Sequence, residues 1–98
     1  IKAWRGIGWC SFISRKYEQA MKYYEKIIEQ KPLAIDYMNA GHVAWTMGDI
    51  QKAAALYGKS ITANGNRERF LEMFRKDKEA RLKQGIQEDD IPLMLDLL

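Results

Sequence analysis

Apolar and small residues in the first half of the chain recur at helical spacing. Trp4, Ile7, Gly8 and Ser11 follow a period of about 3.6 residues. After the polar break Ser14-Arg15-Lys16, so do Tyr17, Ala20, Tyr24, Ile27 and Ile28. Pro32 stops this second helix. The pattern then repeats: Tyr37, Ala40, Gly41 and Ala44 form one stripe, Gly48-Asp49 a turn, and Ile50, Ala53, Leu56, Tyr57 and Ile61 the next stripe. An offset of 33 residues places Trp4 on Tyr37 and Phe70, Gly8 on Gly41, Phe12 on Trp45, Ala20 on Ala53, and Tyr24 on Tyr57. Small residues at Gly8, Gly41, Ala20 and Ala53 let antiparallel helices approach closely at their crossings.

Beyond the second unit, Gly65 suits a left-handed C-cap and Asn66 an N-cap, with Glu68 in the first turn of a helix reaching about Gln84 and ended by Gly85. Phe70 and Met73 keep the repeat's phase, but Phe74 falls where Gly8 and Gly41 stand in the two repeats, so this segment reads as a capping helix. Its charge run, Arg75, Lys76, Asp77, Lys78, Glu79, Arg81 and Lys83, reads as a solvated face. Asp89-Asp90-Ile91-Pro92 opens a short helix whose residues Ile91, Leu93, Met94, Leu95, Leu97 and Leu98 are apolar nearly all round and call for burial. The preferred site is the helix around Phe70 and Phe74, with self-association through this tail as the rival.

The series Trp4…Ile7-Gly8…Phe12…Tyr17…Ala20…Tyr24…Ile27…Pro32 resembles a tetratricopeptide repeat, and Tyr37…Ala40-Gly41…Trp45…Gly48-Asp49…Ala53…Tyr57 resembles a second. Arg15 departs from the pattern where the family prefers Gly, as does the 33-residue spacing. The resemblance implies an all-α fold, a right-handed α-solenoid of antiparallel helix pairs, divided into repeats at residues 1–33 and 34–66, a capping helix at 67–85 and a short C-terminal helix at 86–98. It further implies a protein-interaction scaffold without catalysis; the alternative is a structural end-cap or self-association module of a longer solenoid. A chain opening at Ile1 reads as the C-terminal part of such a protein.

Composition narrows the chemistry. Of 98 residues, 47% are hydrophobic and 30% charged, which suits one small folded domain, and no apolar run approaches a membrane span. A lone Cys excludes an internal disulfide and a Cys-based zinc site; with one His and no Gly-rich phosphate loop, neither metal nor cofactor is expected. Cys10 and His42 do not form a thiol–base pair, because Cys10 aligns with Val43 and His42 with Trp9; Cys10 is expected inside inter-repeat packing. The net charge of +3 is divided unevenly. Residues 1–33 hold seven cations against three carboxylates, and residues 86–98 hold only Glu88, Asp89, Asp90 and Asp96, a distribution that offers no nucleic-acid footprint.

The candidate binding site is what remains of the first helices once core positions are removed. Lys2, Arg5, Trp9 and Phe12, followed in the next repeat by Met38, His42 and Trp45, share the face that lines the concave groove in stacked helix pairs. Phe12 and Trp45 can equally fill inter-repeat contacts. The resemblance adds Asn39, which with Arg5 matches part of a carboxylate clamp found in some family members. Trp9 replaces one clamp Asn, and Glu68 and Glu72 stand where cations are needed, so the full clamp is not expected. The groove calls for a protein or peptide ligand of acidic-apolar character.

Overall fold

Seven helices and no strand make up the computed structural model, which describes residues 1–98. Helix α1 (Lys2–Ile13) pairs with α2 (Tyr17–Gln30), and α3 (Ala34–Thr46) with α4 (Ile50–Asn64); α2 also lies against α3, so the pairs stack in chain order. The chain continues through α5 (Arg67–Lys76), which packs on α4, then α6 (Lys78–Lys83) and α7 (Asp90–Asp96).

Local chemistry sets the helix ends. The Asp36 carboxylate accepts the Leu33 N–H at 2.7 Å ahead of α3. Asp49 caps α4 through the Lys52 N–H, and Asn66 caps α5 through the Glu68 N–H. Gly65, at φ 67°, closes α4 in the left-handed region. The two turns inside the helix pairs adopt the same left-handed backbone, Gly48 at φ 86° in the second and Arg15 at φ 64° in the first. The first turn therefore carries a side chain where its counterpart carries none, and pays for it in backbone strain.

Glycine decides how closely each pair crosses. A Cβ on Gly41 would lie 2.7 Å from the Tyr57 ring, and one on Gly8 would lie 3.0 Å from the Tyr24 ring. Tyr24, Ile27, Ala20, Ala40, Val43, Ala53 and Tyr57 are buried around these crossings. Helix α3, enclosed by α2, α4 and α5, buries eight of its residues, whereas α1 buries only Gly8, Ser11 and Phe12.

One helix from Asn66 to Gln84 is corrected to two. The break at Asp77 carries no Gly or Pro; side chains impose it. The Nη1 of Arg81 donates to the carbonyl of Phe74, which in a continuous helix would accept from Lys78, and Asp77 accepts from His42. Helix α6 then crosses the concave side toward the α1–α2 turn. There the Tyr17 hydroxyl donates to Gln84 Oε1, Gln84 Nε2 donates to the Ile13 carbonyl at 3.4 Å, and Arg15 donates to the Lys83 carbonyl at 3.4 Å. Gly85, at φ 97°, turns the chain into the segment that leads to α7.

Candidate functional site

The concave side is where the sequence placed its ligand groove, and the structure fills it. Phe12, Met38 and His42 are at most 1% exposed and Trp45 is 7% exposed. The expectation of an open floor at these four positions is corrected: Phe74 of α5 packs on Trp45 and His42, Asp77 just after α5 bonds to His42, and Phe12 lies against His42 in turn. Trp45 stacks on Phe74 with centroids 6.4 Å apart, and Phe12 stacks on His42 at 6.4 Å.

His42 joins the stack to its cover. Its Nε2 lies 3.0 Å from Asp77 Oδ2 and its Nδ1 2.6 Å from the Tyr57 hydroxyl. A carboxylate only accepts, so Nε2 carries the proton and Nδ1 accepts from Tyr57. Burial, foremost, and the nearby Arg81 charge hold the imidazole below its ordinary value, against the opposing pull of Asp77. Burial pushes the Tyr57 phenol well up. A neutral imidazole between a protonated phenol and a partly exposed carboxylate satisfies the buried polar groups of His42 and Tyr57 and fixes the α5–α6 break over α3.

The remaining candidates are dispersed. Arg5 is committed to Asp36 through a two-pronged contact at 2.7 and 2.8 Å; Asp36 is fully buried and accepts from Leu33 as well. The bond to Asp36, foremost, raises the Arg5 pKa. Trp9 is half-buried against Phe12, with centroids 5.5 Å apart, Lys2 is exposed, and Asn39 is half-buried with an unpartnered Oδ1. In the tail, Met94 is buried and Ile91, Leu95 and Leu98 pack partly on the core. Leu93 and Leu97 are 64% and 61% exposed, which corrects the expectation that the helix is covered all round: it packs by one face only.

Two residues that matter here were passed over as part of the charge run, Asp77 and Arg81. The signal was their phase, since Phe70, Phe74, Asp77 and Arg81 fall at helical spacing on one stripe. Cys10 is also corrected: it is exposed, with Ala3, Gly6 and Ile7, on the outer face of α1. The counterparts of Ile7 and Cys10 one repeat later, Ala40 and Val43, are fully buried in α3, which α2 covers.

The tetratricopeptide repeat profile matches residues 1–32 and 37–67. The chain belongs to the tetratricopeptide repeat family. Members of this family are generally protein–protein interaction modules, and the sequential helix-pair packing described above is the family's architecture. Comparison with curated proteins and with solved structures finds no match. In this tetratricopeptide repeat protein the second matched repeat ends at Arg67, the first residue of α5, so the rest of α5 and all of α6 and α7 lie outside the matched residues. No helix is long and apolar enough to cross a membrane.

Proposed function

We propose that this chain is a protein-interaction module that seats a helix, from a partner protein or from a preceding repeat of a longer chain, on the outer face of α1, while α5–α7 close the groove side. The observation that carries this reading is the inequality between equivalent helices: the face buried between α2 and α3 is bare on α1. Ala3, Gly6, Ile7 and Cys10 border a recess of about 410 Å³, with Lys16 at its edge. Small residues along a helix admit a close partner, so the fitting occupant is an amphipathic helix with an apolar stripe and acidic flanks.

A partner isolated with the wild-type protein should be lost on Ile7→Glu and retained on Lys83→Ala. Loss in the second variant with retention in the first would instead favour the groove. A second reading takes the occupant to be α7 of another copy, because exposed Leu93 and Leu97 stand among Asp89, Asp90 and Asp96 and suit a basic first repeat. Sedimentation would then show a concentration-dependent mass that Leu97→Lys abolishes.

A further inference from the structure

Arg81 is 1% exposed, yet none of the ion pairs in the molecule includes it. Buried cations are ordinarily paired, because taking a guanidinium out of water costs far more than one hydrogen bond returns. Here Nη1 is committed to the Phe74 carbonyl and the guanidinium carbon lies 3.7 Å from the centre of the Phe74 ring. Those contacts explain the α5–α6 break but leave the other edge idle. Nε is buried without an acceptor, and Nη2 donates to no protein group. Nε and Nη2 form the side-on fork that matches the two oxygens of a carboxylate.

The same arginine lines a cavity of about 230 Å³ between α5, α6 and α7. Its apolar walls are Leu71, Phe74, Ile91, Pro92 and Leu95. The charged groups around it are Arg75, Lys78 and Glu88, and the last two already pair with each other at 2.6 Å. Asp77, the nearest carboxylate in the chain to influence Arg81, is engaged by His42. The balance left at the cavity is two unpaired cations, the exposed Arg75 at its rim and the buried Arg81.

We propose that this cavity binds a small monocarboxylate with an apolar body, its chain taken by Leu71, Ile91 and Leu95 and its carboxylate by the Nε–Nη2 edge of Arg81, which a shift of the surrounding side chains on binding brings into reach. The volume is below that of drug-sized sites, about 300–1,000 Å³, which limits the ligand to a short chain or single ring. This site is independent of the α1 face. Binding would also tie α7 to α5 and α6, coupling ligand to closure of the groove side.

The test uses the full chain with hexanoate, 1-hexanol and acetate as probes, read by amide chemical shifts and thermal melting. Hexanoate should saturate, shift the amides around Arg81, Ile91 and Leu95, raise the melting temperature, and bind about ten-fold or more tightly than 1-hexanol, as expected for a hydrogen bond to a charged group. Acetate should be weaker than hexanoate. Arg81→Gln should remove the preference for the acid; because that variant also loses a helix cap, Leu95→Trp provides a second arm by filling the cavity while leaving the guanidinium in place, and it should abolish hexanoate binding. No saturable binding, equal affinity for hexanoate and 1-hexanol, acetate binding as well as hexanoate, or undiminished binding to Leu95→Trp would each overturn the proposal.

Discussion

Replacing Gly41 with alanine places a single methyl group where the structure leaves no room. In an exposed helix interior the change would stabilise by about 0.5–1 kcal/mol, because glycine loses more backbone freedom on folding. At Gly41 the new carbon would sit 2.7 and 2.8 Å from Cε1 and Cδ1 of Tyr57, well inside the ~3.5–4.0 Å of a comfortable carbon contact. Tyr57 cannot yield. Its hydroxyl is bonded to His42 at 2.6 Å, and its ring is set edge-on to Trp45, Phe70 and Phe74 with centroids 6.2, 5.7 and 5.3 Å away. Overpacking a rigid site costs about 1–3 kcal/mol, sometimes more, so a net loss of about 1–2 kcal/mol remains after the backbone gain. That corresponds to a fall in Tm of about 5–15 °C for a domain of this size. Gly8→Ala meets Tyr24 at 3.0 Å, a less severe approach than at Gly41, so the loss should be smaller. Gly6 and Gly58 have nothing within 4 Å of a built Cβ, and alanine at either should raise Tm. Circular dichroism melts and urea titrations of the four variants order them; a Gly41→Ala protein melting at or above wild type would refute the crossing geometry.

Arg15→Gly should stabilise by about 0.5–1 kcal/mol, the net of relieved left-handed strain over added unfolded-state entropy; denaturant midpoints check it, and a loss would show that the weak contact to the Lys83 carbonyl outweighs the strain. His42 binds its proton less readily when folded than when unfolded, so stability should be full above the unfolded value near 6.5 and decline as pH falls through it. Urea midpoints between pH 8 and pH 5 measure that slope, and His42→Gln should flatten it. Cys10 should react with a small alkylating reagent at the rate of an unfolded-chain thiol under native conditions; protection would place the thiol inside the packing.

The helix pairs were legible because their signal is local and doubled. Gly8 with Tyr24 and Gly41 with Tyr57 are small–large couples repeated at one spacing, and each is a helix crossing in the structure. The cover over the groove was not legible for the opposite reason. The break at Asp77 has no Gly or Pro, and depends on Arg81 reaching back to the Phe74 carbonyl and on His42 from another helix, contacts that no periodicity records. The bare face of α1 was obscured by the repeat itself, since alignment with buried Val43 predicted burial for Cys10, whereas only α3 has a helix on that side.

The central claim is that the chain's own C-terminal helices close the groove of its repeats. Nuclear Overhauser contacts on the full chain test it most directly, because Gln84 sits at the far end of α6 and meets the α1–α2 turn through Tyr17 and Ile13. Cross-peaks between the Gln84 side-chain amide protons and the Tyr17 ring, together with contacts between the Trp45 and Phe74 rings, are the predicted result. A Gln84 amide with solvent-exchange behaviour and no contact to Tyr17 would contradict it, leaving the groove open to ligand.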